Sequence, residues 1–222
     1  ALSVFGTLIA IVGAAQMLPS ELENRTIYTI LAKPVRRFEF LLGKYAGCLL
    51  LILVSVLAMS AMIGAALLFK EQRLVAETLQ EAAGATDSAE VQQIIAQIRA
   101  QAFDPDIIKG VILIFVKLGL LSAITVLVST FSTSMVFNVT VAFMAFLAGH
   151  LRGAAIEMWG GHKFVMALMA VVPDLGAFNV TDDIILGNVI PWWHVGRVAL
   201  YGVARAIVIL VAAHLIFARR EI

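Results

Sequence analysis

The chain has 222 residues, 61% of them apolar, and a mean hydropathy of +0.97, values that exclude an ordinary soluble domain and fit a multi-pass membrane protein. Its net charge is +1, and the basic residues stand at the ends of apolar runs, so there is no footprint for nucleic acid. Cys48 is the single cysteine, which rules out an intrachain disulfide framework and a Cys-based zinc site.

Residues 1–18 form the first apolar run and open the sequence with no basic leader or cleavage site before it, a pattern that reads as a chain lacking at least one earlier span. After Leu18-Pro19 comes Ser20-x-x-Glu23, a capping box in which the two side chains satisfy each other's backbone N–H groups and start a new helix. Within 20–33, Ile27, Ile30 and Leu31 share one face and Glu21, Arg25, Thr29 and Lys33 the other, so the helix is amphipathic and interfacial. Pro34 ends it. Arg36, Arg37 and Lys44 then flank the apolar run 45–69, long enough to span a bilayer.

Lys/Arg bias sets the orientation. Arg25, Lys33, Arg36, Arg37 and Lys44 crowd the first connector and Arg219-Arg220 close the chain, which puts both on the cytoplasmic side. The stretch 70–106 then lies outside and is rich in acidic residues; it predicts a helical hairpin turning at Gly84-Ala85-Thr86, with Asp87-x-x-Glu90 as a second capping box and Val91, Ile94, Ile95 and Ile98 as an apolar stripe. Further spans are expected at 107–128 and 135–149, joined by the hydroxyl-rich turn Ser129 to Ser134, and at 196–218. Between them, the apolar stretch from Lys163 to Val172 is too short to cross and Pro173-Asp174 stops it, which predicts a re-entrant element over 163–190. The expected fold class is therefore all-α: a polytopic membrane helical bundle in a single domain, with an interfacial helix inside and a helical hairpin outside.

The residues from Glu21 to Lys44 carry the functional signal. Glu21, Glu23, Thr26, Leu31, Pro34, Val35, Arg37, Gly43 and Lys44 stand in an order that resembles the signature of type-2 ABC exporter permeases, where an acidic helix start and a Thr precede Leu-x-x-Pro-Val-x-Arg and Gly-Lys. A second resemblance lies in Val172-Pro173-Asp174-Leu175 with Phe178-Asn179 and Asp182, followed by Phe217-Ala218-Arg219-Arg220-Glu221; it is similar to the permease branch associated with maturation of copper enzymes. The family often has Gly before the Thr, where this chain has Arg25. The resemblance implies that 20–33 is a coupling helix seated on an ATPase, with Glu21, Glu23, Arg25, Thr26, Pro34, Arg37, Gly43 and Lys44 as the coupling residues. It further implies a soluble P-loop ATPase that binds the ATP and Mg, a second permease copy or sister chain, and a bacterial inner membrane. The residues alone agree, since a capped rigid helix between two spans is a suitable lever, although an interfacial helix that anchors a loop has the same composition.

Enzyme chemistry has no carrier in the sequence. No G-x-x-x-x-G-K-[ST], G-x-S-x-G or H-E-x-x-H occurs, so no catalytic residue is assigned and ATP hydrolysis falls to a partner. Met158, His162, Met166 and Met169 are residue types that suit Cu(I), but they form no compact ligand cluster and read as packing residues, leaving no metal site assigned. Lys117 and Arg205 each lie eight residues beyond another basic residue, Lys109 and Arg197, which puts both about 12 Å inside the outer ends of their spans. Two readings stand: a lining for an anionic substrate path or for Asp182 and Asp183, or side chains that snorkel outward. The expected function is an ATP-driven export permease, or a subunit that passes force to an extracytoplasmic partner. The alternative of another class is a motor-independent anchor or assembly factor working through its outer hairpin.

Overall fold

The computed structural model describes residues 2–17, 37–81, 91–96, 106–159, 162, 172–180 and 190–219. They form helices α1 (Leu2–Met17), α2 (Arg37–Glu81), α3 (Asp106–Phe131), α4 (Met135–His150), α5 (Arg152–Trp159) and α6 (Trp192–Arg219), with a helical stretch at 91–96 and a short 3-10 turn at Gly176–Phe178. No strand occurs among the described residues. The protein is an all-α membrane helical bundle.

α2, α3 and α6 are long and apolar enough to cross a membrane, and α4 with α5 would make a fourth crossing if that pair, bent by 59°, is one broken span. The α1 helix, with 16 residues, falls short of the roughly 20 that a perpendicular crossing needs. The predicted segment 20–33 lies outside the described residues, as do the turn at 84–86 and most of 163–190.

The largest departure from the sequence reading is α2. It does not stop near Phe69 but runs unbroken for 45 residues, about 68 Å at 1.5 Å per residue, against a hydrocarbon layer of about 30 Å. From Lys70 to Glu81 the residues turn polar, yet they are good helix formers with no Gly or Pro among them, so nothing interrupts the backbone ladder. What was read as one arm of a separate hairpin is thus continuous with the span. A further element is α5, an eight-residue helix in a stretch to which the sequence reading assigned none.

At the centre stands α3, which packs against α1, α2, α4 and α6. Its apolar window is 67% buried, against 17% for α2 and 28% for α6, so α3 is the core and the other two present most of their surface to lipid or partners. Its hydroxyls satisfy themselves: Ser122, Thr125, Ser129 and Thr130 donate to the carbonyls of Gly119, Leu121, Val126 and Leu127, as a membrane interior requires. At the Ser132–Ser134 corner the Ser134 hydroxyl caps α4 by accepting from the Phe137 N–H.

The α3 and α6 helices run side by side in the same direction. Lys109 lies over the Trp192 ring at 5.1 Å, and ten residues into α6 a Cβ on Gly202 would stand 2.6 Å from Val116. Only hydrogen fits at that crossing. In contrast α2 runs the opposite way, with its Arg37 end beside the Arg219 end of α6.

Candidate functional site

Two groups of contacts, one at each end of the α3–α6 pair, differ in their chemistry. The first is a clasp at the Asp106 end. The Lys109 ammonium donates to the Asp106 carboxylate at 2.6 Å and to the Ile190 carbonyl at 2.7 Å, while the Ile190 N–H donates to the other Asp106 oxygen at 2.8 Å. Both charged side chains are buried. One ion pair therefore takes up both hydrogen-bonding groups of a single residue just ahead of α6, and charge-assisted bonds of this kind are the strong ones.

Residues 172–180 strengthen the same end. Leu175 donates its N–H to the Gly149 carbonyl at 3.1 Å, and a Cβ on Gly149 would meet Leu175 at 2.8 Å and the Pro173 carbonyl at 2.9 Å. The Asp174 N–H donates to the Tyr201 hydroxyl at 2.9 Å, and its carboxylate accepts from the Ala177 N–H, capping the 3-10 turn. That turn delivers Phe178, 1% exposed, beside the Gly202 backbone and the Tyr201 ring. The second resembling motif is thus a wedge binding α4 to α6, with Asp174 also 3.9 Å from the Arg152 guanidinium.

The second group is at the opposite end, the foot of α2. Phe40 stacks on Phe217 with centroids 6.1 Å apart, and Phe38 meets the His214 ring edge-on at 5.2 Å. Two turns higher the Tyr45 hydroxyl donates to the Gly119 carbonyl of α3 at 3.1 Å. The contacts seen at the foot include these aromatic surfaces, and aromatic pairs tolerate a range of offsets.

Of the coupling residues read from the sequence, Glu21, Glu23, Arg25, Thr26 and Pro34 lie outside the described residues. Arg37 opens α2, Gly43 is exposed with open space around it, and Lys44 is half-buried with its ammonium 5.8 Å from the Phe40 ring. These three share the foot with the aromatic pairs. Lys117 and Arg205 behave differently from their expectation as a pair. Lys117 is 3% exposed, 3.4 Å from the Ser3 hydroxyl and over the Phe146 ring at 5.6 Å, so it faces α1 and α4. The α6 helix packs on the neighbouring Val116 face, and Arg205 lies over the ring of Tyr201 on its own helix. Matching depth does not bring them together.

Sequence reasoning missed the clasp, since Asp106 and Ile190 are 84 residues apart, and the aromatic foot, whose Phe38 and His214 carry no motif. Phe178 and Phe217 were within reach, because both belong to the second resembling motif. Among the described residues no group of three or more His, Cys, Asp or Glu could hold a metal; Met158 is exposed and His162 follows α5, while Met166 and Met169 lie outside the described residues.

No curated protein matches the chain. No solved structure matches it. A family profile described as ABC-2 family transporter protein matches residues 1–156, which covers α1 to α4 and the first part of α5 and includes the foot of α2. Taken with the all-α membrane bundle, that match over more than half its length establishes that the chain belongs to the ABC-2 family of transporter proteins and is a permease component of an ABC transporter.

Proposed function

We propose that this permease converts the motion of a separate ATPase subunit into movement of α2 against α6, driving substrate outward from the inner membrane or passing force to an extracytoplasmic partner. ATP and Mg sit on the ATPase. The single observation that carries the reading is the contrast at the foot of α2: directly after the segment resembling a coupling helix, the chain enters a 45-residue helix that meets α6 through two aromatic contacts. A push on residues 20–33 would reach Arg37 at once. A helix this long and this little buried would then act as a rigid lever, while the clasp and the 172–180 wedge hold the far ends of α3, α4 and α6 as one body.

Glu21, Glu23, Arg25, Thr26 and the Pro34–Arg37 corner are the contacts with the ATPase in this proposal, and Gly43 and Lys44, in the second turn of α2, complete the coupling set. The re-entrant reading of 163–190 is kept, supported by Phe178 reaching Gly202, about 15 Å along α6 from Trp192. The substrate-path role of Lys117 is kept without Arg205, since an ionisable group buried in a membrane helix calls for a purpose.

The test is affinity purification of the full-length protein in detergent, beside a variant carrying Glu21→Lys and Glu23→Lys, with co-purifying proteins identified by mass. A soluble P-loop ATPase is expected with the wild type and is expected to be lost from the folded variant. If no ATPase accompanies either protein, the motor-independent anchor becomes the better reading.

A further inference from the structure

Between α2 and α6, on the surface of α3, lies a cavity of about 190 Å³ lined almost wholly by apolar atoms. Its floor is Val116, Gly119 and Leu120 of α3 with Gly202 and Ala206 of α6; its rims are Tyr45 and Leu49 on one side and Val203 and Ile207 on the other. Floor and rims differ in exposure: Gly119, Leu120, Gly202 and Ala206 are buried, whereas Val203 is 48% and Ile207 56% exposed. The cavity is therefore open sideways, toward lipid. From Gly202 to Leu210 it extends about 12 Å along α6, and its volume is below the roughly 300 Å³ at which sites for compact small molecules begin. A long, narrow, carbon-lined slot suits a single alkyl chain.

Charge settles what such a chain would be attached to. Lys44 adjoins Tyr45 at the lower rim, and Arg37 stands two helical turns below it at the start of α2. Lys44 stands toward the end of α2 near which the sequence concentrates its basic residues. Juxtamembrane cations of this kind attract anionic headgroups, and half-buried Lys44 can keep its stem along the rim with its ammonium at headgroup level. The Tyr45 hydroxyl donates to the Gly119 carbonyl, so its polarity is turned toward the backbone of α3 and the lining of the slot is almost wholly carbon.

We propose that this slot is a binding site for one acyl chain of an anionic glycerophospholipid of the cytoplasmic leaflet, its phosphate held by Lys44. The bound chain fills the space between lever and α6, so the lipid sits where α2 must move and its occupancy sets how freely it does so. The effect on α2 movement rests on the ATPase reading, whereas the lipid site itself does not, and its test uses no ATP.

The experiment places the full chain in nanodiscs with phosphatidylglycerol carrying a diazirine on one acyl chain, or with phosphatidylcholine carrying the same group, and maps the crosslinks by mass spectrometry. With the phosphatidylglycerol probe, labelling at Leu49, Val203 and Ile207 should exceed that at Leu57 and Val208, which are 56% and 64% exposed, by several-fold. Ala206→Phe, which fills the floor, should remove most of that excess and leave Leu57 labelling as it was; Ile207→Trp at the rim gives the same reading should the first variant not fold. Lys44→Gln should erase the preference for phosphatidylglycerol over phosphatidylcholine. Labelling at the slot no higher than at Leu57 and Val208 would show ordinary annular lipid and overturn the proposal, as would crosslinks between two copies across this slot or a folded Ala206→Phe variant that labels like the wild type.

Discussion

The two ends of the α3–α6 pair are held by different physics. At the Asp106 end a buried ion pair clamps the Ile190 backbone, and a wedge of nine described residues fits against two glycines that no larger residue could replace without displacement. At the Arg37 end α2 leans on α6 through ring contacts 5.2 and 6.1 Å between centroids. Directional, charge-assisted bonds have one good geometry, whereas aromatic pairs tolerate offset-stacked and edge-on arrangements over centroid separations of about 4.5–7 Å. The contrast is one of geometry: the bonds at one end have a single good arrangement, and the ring contacts between α2 and α6 at the other tolerate several.

Substitutions can break this contrast from either side. The largest effect is expected at the wedge, where Phe178→Ala removes a ring that is 1% exposed and should cost about 3–5 kcal/mol, read as a loss of thermal stability in detergent. Next, Lys109→Met leaves the Asp106 carboxylate without its cation, while Asp106→Asn with Lys109→Met removes both charges and keeps an acceptor for the Ile190 N–H. The double variant should therefore melt higher than the single one, because breaking a buried pair costs more than replacing it. Gly202→Leu should cost about 1–3 kcal/mol by overpacking against Val116 and Phe178. The foot should respond least in stability: a double-mutant cycle between Phe40→Ala and Phe217→Ala should give a coupling energy of about 1 kcal/mol, with a loss of ATP-driven transport out of proportion to that figure.

Much of the fold was legible because apolar length is written directly in sequence. Helix α3 begins at Asp106, beside the expected span start at 107, whereas α6 begins at Trp192, four residues ahead of the expected 196. The extent of α2 was not legible, since a change from apolar to polar residues at Lys70 marks the edge of a membrane but not the end of a helix; Glu71, Arg73, Ala76 and Glu77 are as content in a helix in water as the leucines before them are in lipid. Lys117 and Arg205 show a further limit. Counting residues gives height along a helix, but the direction in which a side chain points depends on which neighbour occupies that face, and α6 took the Val116 face of α3 while α1 and α4 took that of Lys117. The clasp is invisible for a related reason: Lys109 reads as a span-end cation until the fold brings Ile190 to it.

The most direct test of the fixed and movable ends is a pair of spin-label distances in the permease assembled with its ATPase and reconstituted in lipid, in a Cys48→Ala background. One pair spans the foot, with labels replacing exposed Gly43 of α2 and Leu215 of α6; the other spans the clasp, with labels replacing exposed Ile108 of α3 and Trp193 of α6. Addition of ATP with a trapping agent should shift the foot distance and leave the clasp distance unchanged. A foot distance that stays constant while the clasp distance changes would contradict the account.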